Sequence, residues 1–323
     1  MDPIIQTIKT ANRILVTTHT EPDGDAVGSL LAMGLALERL GKQTTFYNES
    51  PIPAVYQFLP AVDRIERRLQ RADAYEAAVV LDCGDLPRVG TAWREVSEMP
   101  SLINIDHHVS NTGFGSFRLM DEQACATAEI VYRLVQALGI RPDKAIATCI
   151  YTGILTDTGS FRFSNTNAAA FAISREMMEF GVDPYEVAQH VFGSYSLGRI
   201  KLLNLALNSI EISRNGKLSL MTVTCGMLEE TQTQQEDVDG LINYARRIEA
   251  VRVAALIQEQ SNGRTAADGR VRLHVSLRSD GSVDVAALAG TFGGGGHRTA
   301  AGFQIESTLV DIKSELLAWA ERI

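Results

Sequence analysis

Four segments of the chain carry acidic and imidazole side chains directly after apolar runs. "RILVTTH" leads into His19, Asp23 and Asp25, and "AAVVLDCGD" ends at Asp82 and Asp85. "SLINIDHH" closes on Asp106, His107 and His108, and "GILTD" stops at Asp157. Carboxylates gathered at one place repel, and some must take up protons unless cations relieve them. Oxygen and imidazole donors without thiolate suit Mn2+ or Mg2+, with Fe2+ and Co2+ as alternatives. Up to six carboxylates and three imidazoles are available, enough for two ions if one carboxylate bridges metals about 3.5 to 4 Å apart. Such a pair activates a hydroxide and stabilises both the attacking and the leaving oxygen of an in-line displacement at phosphorus.

An open parallel sheet would bring these segments together, because the carboxyl ends of its strands share one edge and ligands bind in the crevice beyond it. Residues 13–19 read as a buried strand, and 26–42 as a helix ending at Gly41. The runs 43–48, 74–82 and 101–106 read as further strands, separated by segments long enough for helical crossovers. Two helices follow between 124 and 157, split by the turn "GIRPD". The expected fold class is α/β: an N-terminal parallel sheet with helices on both faces, plus a smaller α+β C-terminal domain.

At 323 residues the chain is long enough for two domains. The expected division is residues 1–190 for the metal-binding catalytic domain, 191–205 for a helical hinge, and 206–323 for a substrate-binding domain. In the last part "KLSLMTVT" and "RVRLHVSLRSDGSVDVAALA" alternate as strands do, with a Ser-Asp-Gly turn at 279–281. "DVDGLINYARRIEAVRVAALIQEQ" between them reads as helical. The net charge of −9 argues against a protein that coats long nucleic acid, which draws its affinity from basic surface. Cys83, Cys125, Cys149 and Cys225 are far apart and lack CxxC pairing, so neither a disulfide framework nor a structural zinc site is expected. No apolar run reaches a membrane span and the start lacks a secretory pattern, which points to a cytoplasmic protein with no membrane partner.

The set H-x3-D-x-D, "LDCGD", the literal Asp-His-His and "TDTGSF" resembles the DHH family of phosphoesterases. "TFGGGGHRTAAGF" (291–303) resembles the glycine-histidine motif of the C-terminal domain in the branch of oligoribonucleases and pAp phosphatases. The resemblance implies that His19, Asp23 and Asp82 hold one metal and that Asp25, Asp82, His107 and Asp157 hold the other, with Asp82 bridging. Two divalent ions are implied, Mn2+ first, Mg2+ or Co2+ as alternatives. His108 would face the substrate, Asp106 would hold a histidine in place, and Asp85 receives no role. The substrates implied are short RNA oligonucleotides of a few residues, cut to mononucleotides, and pAp, converted to AMP. Linear dinucleotides such as pApA or pGpG, inorganic pyrophosphate with manganese, and a catalytically silent nucleotide-binding regulator stand as alternatives, and a homodimer stays open.

Taken singly, each aspartate has an ordinary explanation: Asp25 could cap the helix after it, and Asp157 could serve the Thr-Gly turn. Cys83 should point to the opposite face of its strand from Asp82 and serve packing. The run Gly293, Gly294, Gly295 and Gly296 could present successive N–H groups to an anion, with His297 adding a donor; a flexible turn is the alternative. Arg278 could reach the same anion. Arg162, Arg264 and Arg298 are further candidates that the sequence does not rank.

Overall fold

The computed structural model describes residues 1–193, 195–260 and 269–323; Ser194, in the expected hinge, and Arg264 lie outside the described residues. The chain forms two compact units, Met1–Ser194 and Tyr195–Ile323. The first contains α1 (Asp2–Thr10), β1 (Arg13–Thr18), α2 (Gly24–Arg39), β2 (Gln43–Tyr47), β3 (Ala77–Leu81) and α3 (Trp93–Ser97). It continues with β4 (Leu102–Asp106), β5 (Phe117–Met120), α4 (Thr127–Ala137), α5 (Lys144–Asp157), α6 (Ala168–Glu179) and α7 (Pro184–Phe192). Its five strands pair in parallel in the order β2-β1-β3-β4-β5.

Alternation along the strands builds a core on each face. Ile14, Val16, Val79 and Leu81 pack with α2, α4 and α5, while Leu15, Ala78 and Val80 pack with Leu86, Val89 and Val96 beyond β3. Burial on both sides is why these strands read as unbroken apolar runs. The chain leaves β1 for β2 and then crosses back to β3, so the order reverses between β1 and β3, and a crevice opens at their carboxyl ends. Between β2 and β3 the expected helical crossover is absent: three short 3-10 turns, Ala54–Tyr56, Val62–Arg64 and Ala72–Ala74, occupy that segment. Pro51, Pro53 and Pro60 remove the amides and the backbone freedom a helix there would need. The edge strand β5, short and only half-buried, carries no apolar pattern strong enough to read.

Helices α2 and α5 cross at backbone distance because glycine lines the contact. A Cβ on Gly28 would lie 2.5 Å from the Cys149 carbonyl oxygen, and one on Gly24 would strike Thr156. Substitution there costs roughly 1–3 kcal/mol of overpacking. The crossing sets the start of α2, with Asp23 and Asp25, beside the end of α5, with Asp157.

The second unit contains α8 (Leu197–Asn208), β6 (Glu211–Ile212), β7 (Leu218–Val223), α9 (Cys225–Thr231), α10 (Ile242–Arg246) and β8 (Val253–Glu259). It ends with β9 (Val271–Ser279), α11 (Val285–Thr291), β10 (Gly295–His297), β11 (Ala300–Ser307) and α12 (Leu309–Ala320). The mixed sheet runs β10-β11-β9-β8-β7-β6, with β7 and β8 parallel and the other neighbours antiparallel. Two expectations are corrected. The helical reading of 237–260 holds only for the short α10, because "VAALIQE" is the buried strand β8, whose unbroken apolar character carries no period-two signal. The Ser-Asp-Gly turn leads from β9 into α11 rather than into a partner strand, since Asp284 caps the helix by accepting the Ala286 and Ala287 amides.

Candidate metal centre

The crevice collects the acidic and imidazole side chains from four stretches of chain. Three groups converge to within 4.8 Å: His19, Asp23 and Asp82; Asp25, His107 and Asp157; and Asp82, His107 and His108. Asp82 belongs to two of them. It lies just past β3 with φ at 52°, in the left-handed region where the strand direction ends and the carboxylate turns into the crevice. Its Oδ2 faces His19 Nε2 at 3.7 Å and its Oδ1 faces His107 Nε2 at 3.7 Å, too long for hydrogen bonds. His107 Nε2 stands equally far from Asp157 Oδ2.

The outer bonds orient these donors. His19 Nδ1 meets the Thr20 carbonyl at 2.7 Å, and His107 Nδ1 meets the Ala124 carbonyl at 3.3 Å. A carbonyl only accepts, so Nδ1 carries a proton and Nε2 is the ring atom left facing the carboxylates, able to ligate a metal once its own proton leaves. Asp23, rather than Asp25, caps α2: its Oδ1 accepts the Asp25 and Ala26 amides at 3.0 Å. Asp25 is buried within the first turn of α2 and accepts from the Ser29 hydroxyl and from the Thr127 and Ala128 amides. Asp157, at the end of α5, is held by the Asn165 amide at 2.9 Å.

Charge is crowded enough to displace the titration of Asp25, Asp82, His107 and Asp157. Burial, then Asp82, pushes Asp25 up to about 7, and burial, then Asp25, raises Asp157 well above the usual carboxylate range. Burial lowers His107, but Asp157, Asp25 and Asp82 outweigh it and lift the imidazole to about 9. Burial also opposes the Asp82 carboxylate, yet His19, His108 and His107 hold it below its ordinary range. Without cations, protons therefore balance the site. A donor set of carboxylate oxygens and imidazole nitrogens, with its histidine tautomers fixed from behind, fits divalent cations of the manganese and magnesium kind.

His108 differs from His107. Its Nδ1 is bound to Asp106 Oδ1 at 2.7 Å, and Asp106 also accepts the His107 amide and, through Oδ2, the Asn111 side-chain amide at 2.6 Å. Asp106 thus serves as an orienting partner, fully buried. Asp85 lies outside the three groups and accepts from the Thr112 hydroxyl at 3.3 Å. Cys83 is buried on the opposite face, its thiol pushed up to about 12 by burial. Sequence reasoning missed Thr127, Asn111 and Asn165, which look like ordinary turn or cap residues until the fold brings them to the carboxylates. It also missed Arg88, whose backbone carbonyl accepts the Thr20 amide at 2.7 Å and whose exposed guanidinium makes no hydrogen bond or ion pair among the described residues.

In the second unit, the glycine run is not a nest of four exposed amides. The Gly293 and Gly294 amides close the end of α11 on the Gly290 and Ala289 carbonyls, and Gly295, Gly296 and His297 form the edge strand β10. Geometry demands three of the glycines: Gly293 at φ 76°, Gly296 at φ 141°, and Gly294, where a Cβ would lie 2.2 Å from the Gly302 carbonyl oxygen. His297 pairs with Ala300 and Ala300 with Arg278, so the two residues share one row and one face, their backbones two strand spacings (about 10 Å) apart with Ala300 between. That face is opposite Leu273, Val275 and Leu277, which point into the unit's core. Arg162 and Arg298 donate to the Gly159 and Gly281 carbonyls.

A model of the DHH family N-terminal domain matches residues 13–154, and a model of the DHHA1 domain matches residues 218–322. The bifunctional oligoribonuclease and PAP phosphatase NrnA of Thermus thermophilus is 32% identical over 310 residues, covering 96% of this chain and 89% of that protein. The chain belongs to the DHH family. The protein of the same name from Bacillus subtilis is 26% identical over 308 residues, covering 94% of this chain and 93% of its own length. Among solved structures, an exopolyphosphatase-related protein from Bacteroides fragilis superposes with a TM-score of 0.89 at 26% identity, covering 98% of this chain and 95% of that one. As a member of the DHH phosphoesterases, the chain is a metal-dependent hydrolase of phosphoester bonds. Among the described residues no helix is long and apolar enough to cross a membrane.

Proposed function

We propose that this DHH protein hydrolyses short RNA oligonucleotides to mononucleotides and removes the 3'-phosphate of pAp to give AMP, with two divalent cations, Mn2+ first. The observation that carries this is the sharing of Asp82 between the His19–Asp23 side and the His107 side of the crevice, in a chain whose relatives are named for both activities over nearly their whole length. His19, Asp23 and Asp82 would hold one cation; Asp25, Asp82, His107 and Asp157 would hold the other. Bound there, the cations supply the charge that activates water and neutralises the oxygens of an in-line displacement at phosphorus.

The protein's own groups do the rest. His108, its Nδ1 fixed on Asp106, presents Nε2 to the scissile phosphate and delivers a proton to the departing oxygen. Water adds to phosphorus, the P–O bond to the leaving group breaks, and no covalent enzyme intermediate forms. Arg88 offers an unpaired guanidinium to a substrate phosphate near His19. In the second unit, His297 and Arg278, in one row of the sheet beside the edge glycines Gly295 and Gly296, form a nucleotide-binding row. A net charge of −9 leaves little basic surface for long duplexes, which fits a substrate of a few nucleotides.

The test offers metal-stripped protein and Mn2+ to pAp, a labelled di- to pentanucleotide series, pGpG and pyrophosphate, with products resolved over time. Release of mononucleotides and AMP is expected. Preference for pyrophosphate, or turnover of none of them, overturns the proposal.

A further inference from the structure

Helix α4 has no cap of its own, for Ala126 precedes it and supplies no side-chain bond. Four amides at a helix start need partners, and here a carboxylate 102 residues earlier serves two of them: the Thr127 amide donates to Asp25 Oδ2 at 2.6 Å. The Ala128 amide donates to Asp25 Oδ1 at 2.9 Å. The Thr127 hydroxyl turns the other way and donates to Asp82 Oδ1 at 3.0 Å. Thr127 is fully buried, so these bonds meet no competition from water.

The choice of oxygen matters. Asp82 Oδ1 is the atom that faces His107, whereas Oδ2 faces His19. The Thr127 hydroxyl bond therefore ends on the Asp82 oxygen that faces His107 and its amide bond on Asp25, and neither reaches His19 or Asp23. The His19–Asp23 side is backed differently, by the Asp23 cap on α2 and the Thr20 carbonyl behind His19. Each carboxylate oxygen has two lone pairs, so a donor on one of them fixes which direction the other faces. Gly153 leaves room for this: a Cβ there would press on both Ala128 and Asp25 Oδ1, at 2.6 and 2.8 Å.

We infer that Thr127 is a positioning residue for one cation only: its hydroxyl sets the affinity of the Asp25–His107–Asp157 group and leaves the His19–Asp23 group unaffected. The inference rests on the two-cation reading above. A merely structural threonine would, when changed, weaken the fold or both cation sites alike.

Thr127→Ala and Thr127→Ser differ by a single oxygen and isolate the hydroxyl, with Thr127→Val as the shape-matched companion. Full-length, metal-stripped protein is checked for fold by circular dichroism and then titrated with Mn2+ by calorimetry, with free Mn2+ followed by electron paramagnetic resonance. Thr127→Ala should weaken one of two sites by about 10- to 100-fold with the other within about twofold, and Thr127→Ser should stay near the wild type. Two unchanged sites in Thr127→Ala, an equal loss at both, or Thr127→Ser behaving like Thr127→Ala would overturn the inference. If Thr127→Ala does not fold, Thr127→Val against Thr127→Ser carries the same contrast. Fewer than two sites in the wild type would instead remove the two-cation reading, and the inference with it, before any variant is compared.

Discussion

The crevice of the first unit and the β10–β11–β9 row of the second hold their functional residues by different means. In the first, charged groups from four stretches of chain converge, and Asp25, Asp82 and His107 shift one another's protonation. In the second, Arg278 and His297 are set two strands apart by backbone pairing, with a small residue between them. The first is a network in which a change at a shared carboxylate such as Asp82 reaches several neighbours. The second is a row in which contacts add independently. The proposed function assigns chemistry to the former and grip to the latter, because stabilising a transition state needs fixed charge, whereas holding a flexible nucleotide needs only a surface.

Variants can break or sharpen this contrast. The largest effect is expected from Asp82→Asn, which keeps the shape but removes the shared charge: kcat for pAp with Mn2+ should fall about a thousandfold or more. Retention of activity within tenfold would show that the crevice is not a network. Next, Asp106→Asn should lower kcat by about 10²- to 10⁴-fold while both Mn2+ sites survive in calorimetry, since it loosens the His108 ring whereas the Asn carbonyl can still accept the His107 amide. In the second unit, Arg278→Ala should raise KM about tenfold with kcat nearly constant; an equal loss in kcat would move this arginine from the row into the network.

Acidity separates the two regions as well. Asp25, raised from 3.8 to about 7 by burial and Asp82, favours the folded metal-free protein in its protonated form, fully below 3.8 and not above 7. His107, raised from 6.5 to about 9 because Asp157, Asp25 and Asp82 outweigh burial, contributes fully below 6.5 and loses that contribution through 9. Metal-free protein should therefore lose Tm as pH rises from about 4 to 9. The gain in Tm on adding Mn2+ should grow over the same interval, because the cation replaces those protons. Differential scanning calorimetry checks this, and a gain that is flat with pH would contradict it. The smallest effect is local: Gly294→Ala should lower Tm because its Cβ meets the Gly302 carbonyl, whereas Gly295→Ala, with open space, should shift stability by no more than about 0.5 kcal/mol.

The donors of the crevice were legible because residue type and position after apolar runs carry chemistry directly: His19, Asp23, Asp25, Asp82, His107 and Asp157 all reach one edge. What surrounds them was not. Thr127, Asn111 and Asn165 are small polar residues in turns and helix starts, and only tertiary contact tells them from hundreds of others. The exchange of roles between Asp23 and Asp25 was equally hidden, since either could cap α2 and the choice depends on α4 arriving from 102 residues away. In the second unit, β8 was misread because a strand buried on both faces loses its period. The glycine run was half legible: its need for glycine follows from the sequence, but not the use of two amides to close α11.

Position 82 answers to two unrelated demands at once. A backbone at φ 52° is comfortable for glycine, asparagine or aspartate and awkward for most other residues, while the proposed cation binding asks for a carboxylate. Glutamate, the usual conservative swap, satisfies the second demand and offends the first. Drift at this site is therefore filtered twice, and a laboratory selection for altered metal preference should find its solutions at Asp23, Asp25 or Asp157 while leaving Asp82 as it stands.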